Sequence, residues 1–78
     1  MKSEIILRKI EIINRCLIRI NQEYEGKKEN IINNFTKQDS VILNLQRAIE
    51  ATLDIASIII KQKKLGIPKS SRDMFDIL

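Results

Sequence analysis

Few residues of this 78-residue chain could support chemistry, because the sequence contains no histidine and only one cysteine. Glu50 and Asp54 are four positions apart and therefore share one face of any helix that contains them, with Arg47 one turn earlier. Two carboxylates in this arrangement could frame an acidic pocket or bind a divalent cation. A stripe of solvated ion pairs is the commoner explanation of this spacing, and we predict no metal site.

The single cysteine, Cys16, cannot form an intramolecular disulfide, so the sequence does not call for an oxidising compartment. It lies on the flank of an apolar stripe, and no basic helix N-terminus adjoins it to activate the thiol. We therefore predict that Cys16 is a small buried hydrophobic residue and not a nucleophile.

Long helices must position these residues, because two glycines and one proline leave almost no breaks in the chain. We predict an all-α fold with two long antiparallel helices and the start of a third. The first helix is predicted from about Ser3 to Glu25, with Gly26 ending it. The second is predicted to open at Thr36 and to stop before Gly66 and Pro68, with Lys61, Lys63 and Lys64 in its last turn.

Both long helices carry apolar residues at alternating spacings of three and four, which predicts a packing seam along each helix. Each stripe is wider than one neighbouring helix can cover, so either further helices or a second copy must supply the rest of the core, and we expect the folded 78-residue chain to be at least a dimer. The predicted seams are Ile6, Ile10, Ile13, Leu17, Ile20 and Tyr24 in the first helix, flanked by Ile5, Ile12 and Cys16, and Ile42, Leu45, Ile49, Thr52, Ala56 and Ile59 in the second.

Capping patterns predict where the helices begin. Thr36 and Asp39 have the spacing of a capping box, with Phe35 as a hydrophobic staple, and the preceding residues 31–35 are predicted to form a short turn whose apolar side chains tuck under the bundle. Ser70 and Asp73 form a second capping box before Met74, Phe75, Ile77 and Leu78. Because this apolar helical segment has no stop signal, we expect residues 1–78 to be a single, truncated helical domain.

The net charge of +4 comes from fourteen basic and ten acidic residues that are spread along the chain. This excess is compatible with nucleic-acid contact, but a mixed solvated surface is the commoner explanation of such a charge. No apolar run approaches the length of a membrane span, and charged residues interrupt any secretory signal. We expect a cytoplasmic protein without a cofactor and without membrane contact.

The sequence resembles the HepT-like proteins of the HEPN superfamily of helical ribonucleases. The resemblance extends over essentially the whole chain, from Ile5 through the helix end at Tyr24-Glu25-Gly26 and beyond. Its most specific parts are the Gln38-Asp39 helix entry, the core Asn44-Leu45-Gln46-Arg47-Ala48 and the stop Leu65-Gly66-Ile67-Pro68. The segments Leu53-Asp54-Ile55-Ala56 and Lys69-Ser70-Ser71-Arg72-Asp73-Met74-Phe75 continue the match.

The resemblance implies an up-down helical bundle that dimerises, with a metal-independent endoribonuclease site at the dimer interface. It also implies a toxin that is neutralised by a nucleotidyltransferase-type antitoxin. The catalytic motif of the family is an Arg followed within a few residues by a His on a late helix. Since this chain has no His, no catalytic residue can be assigned in it, and we expect these 78 residues to be inert towards RNA.

The resemblance places the second helix beside the cleft of the family, so its polar residues are the candidate site. Asn44 could hydrogen-bond a phosphate or a catalytic side chain, and Arg47 could hold a phosphate with two parallel hydrogen bonds. Asp39 and Glu50 are the other candidates for lining the cleft or contacting RNA, although a capping role alone would explain Asp39. For Asn44 and Arg47, hydrogen bonding within an interface without a catalytic role is the commoner explanation.

The prediction is therefore the N-terminal part of a HepT-like toxin ribonuclease, cleaving RNA only in its full-length form. One alternative is a non-enzymatic helical module for dimerisation or protein interaction. Another is a dimer that binds nucleic acid through its basic surface.

Overall fold

The computed structural model describes the backbone of residues 2–78 and the side chains from Glu4 onward. The predicted all-α fold is confirmed, since every regular element in this range is a helix. The molecule is a flat pair of long helices with two short ones, measuring 46 × 25 × 16 Å. The elements are α1 (Lys2–Tyr24), α2 (Lys28–Ile32), α3 (Phe35–Lys63) and α4 (Ser71–Ile77).

The end of α1 was predicted correctly to within one residue. Glu25 and Gly26 take left-handed backbone angles, with φ of 53° and 70°, which turn the chain out of the helix. The Tyr24 carbonyl at the helix end accepts from the Lys27 N–H at 3.0 Å and from the side-chain amide of Asn30 in α2 at 2.9 Å.

The prediction for residues 31–35 is partly wrong, because they do not form one turn tucked under the bundle. Ile31 and Ile32 end the short helix α2, and only Ile31 is half-buried. Ile32 is 63% exposed and Phe35 is 82% exposed. Phe35 is the first residue of α3, where its side chain faces solvent and cannot act as a staple.

The predicted capping box of Thr36 and Asp39 is also wrong, because α3 begins earlier. Asn34 is its N-cap: the backbone there is extended, and the side-chain oxygen accepts from the Lys37 N–H at 3.0 Å. Thr36 is therefore the second residue of α3 and lies inside its first turn. Gln38 secures this start by donating to the carbonyls of Ile31 at 2.8 Å and Ile32 at 3.0 Å.

The stop of α3 and the cap of α4 agree with the predictions. Lys64 adopts the left-handed conformation, and Gly66 follows with φ of +139°. In α4 the Ser70 hydroxyl accepts from the Asp73 N–H at 3.1 Å. The Asp73 carboxylate accepts from the Lys69 N–H at 2.9 Å. A capping box would have used the N–H of Ser70, one residue later.

The two long helices pack antiparallel along their length. Lys9 of α1 contacts Asp54 of α3, whereas Cys16, further along α1, lines a cleft with Asn44 and Arg47, earlier in α3. The residues buried between the elements are mostly small, which lets the two backbones approach closely. They are Cys16, Asn44, Ala48, Ala51, Ala56 and Ile60.

The predicted seam of α3 is wrong in its N-terminal half. Ile42, Leu45 and Ile49 are 54%, 44% and 57% exposed, because α1 packs on the neighbouring face of Asn44, Ala48 and Ala51. We call Ile42, Leu45 and Ile49 the outer face of α3. The buried Ala56 and Ile60 lie on the same line of α3 by helical spacing, closer to its C-terminal end. Helix α4 contacts α3 and lies within reach of this end.

The seam of α1 is displaced in the same way. Ile10, Leu17 and Tyr24 of the predicted seam are 41%, 46% and 37% exposed. The most buried residue of α1 is instead Cys16, which was placed on the flank, and its predicted burial is confirmed at 5% exposure.

Candidate functional site

A cleft between α1 and α3 contains two of the residues singled out from the sequence. Its volume is about 280 Å³. Helix α1 contributes Ile12, Arg15 and Cys16, and α3 contributes Asn44 and Arg47. We call this space the arginine cleft. It can form because the small residues of both helices bring the backbones close, while the long arginine side chains reach outward at its rim.

Asn44 is the buried polar residue of this cleft, with 8% of its surface exposed. Its Nδ2 donates to the carbonyl of Ser40, one turn earlier in α3, at 2.8 Å. This bond orients the amide within its own helix, so its burial needs no polar group from α1. An amide nitrogen carries two hydrogens, and this bond uses one of them.

A second cleft of about 270 Å³ lies on the other side of Arg47 and shares Ile12 with the first. Here Lys9 of α1 donates to the Asp54 carboxylate of α3 at 2.9 Å, and Glu50 lines the same space. We call it the mixed-charge cleft. The predicted ion-pair stripe of Arg47, Glu50 and Asp54 is not seen among the described residues, because Asp54 pairs with Lys9 of α1 and Arg47 forms no ion pair.

Asp39 is the one candidate that the structure does not bring to either cleft. It is exposed in the second turn of α3, and it neither caps the helix nor lines the spaces around Arg47. The structure thus groups Asn44, Arg47 and Glu50 and leaves Asp39 apart.

Arg15 and Lys9 were missed, because the sequence pattern placed them among the water-facing residues of α1. The position of Arg15 directly before the buried Cys16 was the signal that could have found it. No comparable local signal marks Lys9, whose partner is 45 residues away in sequence.

An apolar groove of about 390 Å³ lies beyond the arginine cleft, towards the end of α1 and the start of α3. It is lined by Ile20, Tyr24, Lys28, Ile31, Ile32 and Val41. Tyr24, predicted to end the apolar seam with its hydroxyl at the surface, lies here and is 37% exposed.

The described part of the chain has neither a metal-binding cluster nor a membrane-spanning helix. Between residues 2 and 78, no three His, Cys, Asp or Glu side chains come together as a metal ion would require. None of the helices in that range has the length and hydropathy needed to cross a membrane.

Comparison with known proteins identifies the fold and the family. The family model described as "Ribonuclease HepT-like" matches residues 6–78. The chain belongs to the HepT-like ribonuclease family. The resemblance inferred from the sequence is thereby confirmed.

A HepT-like relative is the mRNA nuclease HepT of Shewanella oneidensis, which is 54% identical over 76 residues. The match covers 97% of this chain and 56% of the relative. This chain therefore spans little more than half the length of the curated HepT-like protein that it matches.

Solved structures of toxin–antitoxin complexes have the same fold. One is a toxin–antitoxin with AMP-PNP, at a TM-score of 0.91 and 55% identity, covering 96% of this chain and 56% of that one. Another is the tri-AMPylated HEPN toxin of Shewanella oneidensis in complex with its MNT antitoxin, at a TM-score of 0.90 and 55% identity, covering 95% of this chain and 55% of that one. At this identity the arrangement of α1 to α4 is that of HEPN toxins.

Proposed function

We propose that this chain acts as the N-terminal part of a HepT-like toxin ribonuclease in the cytoplasm, where it contributes RNA contacts to a site that cuts RNA in the full-length form. The observation that carries the proposal is the 54% identity to an mRNA nuclease over 97% of the chain. The toxin–antitoxin complexes that share its fold support the same role.

In this proposal the polar residues around Arg47 contact substrate. Arg47 and Asn44 share one cleft, so a guanidinium and an amide N–H can reach the same phosphate. Glu50, in the adjacent cleft, limits how far the positive surface extends along α3. Asp39 is exposed nearer the start of α3 and would contact RNA only at the margin of the site.

Cleavage requires a group that the 78 residues do not supply. RNA hydrolysis at neutral pH is served by a side chain that both takes up and releases a proton near pH 7, which is the property of histidine. The sequence contains none. We therefore assign binding to this chain and the proton transfers to further protein.

Two protein partners belong to the proposal, a second copy of the chain and a nucleotidyltransferase-type antitoxin. The outer face of α3 supports the first, since Ile42, Leu45 and Ile49 place large apolar side chains in solvent. The complexes with an MNT antitoxin support the second.

A chimera tests the proposed function directly. The matched segment of the Shewanella HepT is replaced by this chain, and cleavage of mRNA is followed on denaturing gels. We expect the chimera to cleave RNA and the 78 residues alone to leave it intact. A chimera with native helicity and mass that does not cleave would contradict the proposal, as would cleavage by the 78 residues after stringent purification.

The alternative is a non-enzymatic helical module for dimerisation, which the exposed outer face favours equally. The same chimera separates the two functions. A module used only for assembly would not support cleavage when it replaces the corresponding part of a nuclease.

A further inference from the structure

The charged side chains that line the arginine cleft are all positive, although the chain as a whole mixes basic and acidic residues. Its two ionised side chains, Arg15 and Arg47, come from different helices, and no carboxylate lines it. Each arginine is exposed at the rim. The positive charge is therefore concentrated at one concave place, although the sequence spreads basic and acidic residues along the whole chain.

Neither arginine has a bonding partner within the described residues. Neither forms an ion pair or a side-chain hydrogen bond between residues 4 and 78. The contrast with the mixed-charge cleft is direct, since Lys9 there is paired with Asp54 at 2.9 Å. The donors of both guanidiniums are thus available to a ligand, whereas the ammonium of Lys9 is occupied.

The floor of the arginine cleft adds a neutral donor. Asn44 is 8% exposed, and its Nδ2 uses one hydrogen for the Ser40 carbonyl. The second hydrogen remains for a ligand in the cleft. Two guanidiniums and one amide N–H around a space of about 280 Å³ match a tetrahedral oxyanion, whose several oxygens accept from donors on different sides.

We propose that Arg15, Asn44 and Arg47 form a phosphodiester-binding subsite that holds the backbone of a single-stranded RNA. This inference rests on the proposed function and adds Arg15 of α1 to it. The two guanidiniums, one on each helix, donate hydrogen bonds either to two oxygens of one phosphate or to the oxygens of successive phosphates. Such contacts fix the strand in register without reading its bases. The subsite therefore positions RNA and does not select its sequence.

The test uses the 78-residue chain and a fluorescein-labelled single-stranded RNA, with binding followed by fluorescence anisotropy over a range of salt concentrations. The variants are Arg15→Gln, Arg47→Gln and the double variant. Lys63→Gln is the matched control, because it removes one positive charge in the last turn of α3, about 24 Å along the helix from Arg47. Circular dichroism shows that each variant is folded.

We expect each arginine variant to lose about tenfold in affinity, as for a charged hydrogen bond removed. The slope of log affinity against log salt should fall by about 0.7 for each phosphate of a single strand that the variant no longer neutralises. Lys63→Gln should change affinity less than either arginine variant. Arg47→Lys should recover the salt slope while recovering only part of the affinity, because the ammonium lacks the planar fork of donors.

Three results would overturn the subsite. The first is no binding of RNA by the unmodified chain, and the second is equal losses for Lys63→Gln and the double arginine variant. The third is displacement of the bound RNA by AMP or inorganic phosphate at micromolar concentration, which would assign the cleft to a free phosphate. None of these measurements involves cleavage, so an active chimera together with a double variant that binds RNA unchanged would refute the subsite and the Arg47 contact and leave the ribonuclease role intact.

Discussion

Two faces of α3 differ in the size and in the burial of their side chains. We call the face that packs against α1 the inner face. On the inner face, Ala48 and Ala51 are 9% and 3% exposed against α1. On the outer face, Ile42 and Ile49 are 54% and 57% exposed. In this half of the helix the small apolar residues are buried and the large branched ones lie in solvent, whereas Ile60 is buried near the other end.

This difference separates two tasks along one helix. The alanines bring α1 and α3 close, so that pairing depends on backbone proximity and not on large interlocking side chains. The outer face leaves large apolar side chains exposed, which is typical of interaction sites. The comparison predicts that inner-face changes alter the stability of the chain, whereas outer-face changes alter its assembly.

The largest expected effect is on assembly. Ile49→Asp should convert a dimer into a folded monomer of 9.1 kDa, since an unpaired carboxylate would be buried in the interface but exposed in the free chain. Sedimentation equilibrium at micromolar concentration measures it. Ile67→Asp is the control, because Ile67 is 91% exposed in the linker before α4. A wild-type chain that sediments as a monomer would show that the outer face is not a dimer interface.

The inner face should respond to added volume. Ala51→Leu should lower the free energy of unfolding by about 1–3 kcal/mol, because the extra carbons must separate α1 from α3. Urea denaturation measures the loss. Ile49→Leu, at the exposed neighbouring site, should change stability by less than about 0.5 kcal/mol. Similar losses for both variants would mean that the two faces are equally packed.

The sequence predicted the helices better than their orientation. Gly26, Gly66 and Pro68 end helices for local reasons, so the ends of α1 and α3 were predicted to within about a residue. The seam of α3 was predicted from apolar periodicity, which places the large Ile49 rather than the small Ala48 in the packing seam. Which face a neighbour covers depends on how closely the backbones approach, and that is a property of the packed pair.

The candidate site was predicted in part for a related reason. Asn44 and Arg47 were found because the family resemblance covers α3. Arg15 was not found, since a charged residue on an amphipathic helix is normally solvated and its neighbour across the cleft is 32 residues away in sequence. Contacts between α1 and α3 are visible only after folding.

A smaller effect on stability is expected at the N-terminal end of α3. Asn34→Ala should reduce the free energy of unfolding by about 1 kcal/mol, since it removes the oxygen that accepts from the Lys37 N–H. Thr36→Ala should be nearly neutral. Thermal melts of the two variants compare the observed cap with the one predicted from the sequence. A larger loss for Thr36→Ala would contradict the cap seen here.

The smallest effect is expected from the ion pair between the two long helices. A double-mutant cycle of Lys9→Met and Asp54→Asn should give a coupling energy of about 0.2–1 kcal/mol, because the two side chains are 30% and 54% exposed. Added salt should reduce it. A coupling as large as the Ala51→Leu loss would mean that charge, and not the close approach of small residues, holds α1 on α3.

The backbone of Gly66 has a consequence for how much of this protein other molecules can reach. Its φ of +139° is closed to residues with a side chain, although a Cβ there would meet only Ile77 Cδ1 at 3.9 Å. The torsion, and not the space, therefore requires glycine. That torsion sets the direction in which α4 returns along α3, and so it sets where the covered part of the Ile42–Ile60 stripe stops. A residue without a side chain, outside every cleft described above, thus fixes the turn that brings α4 against α3.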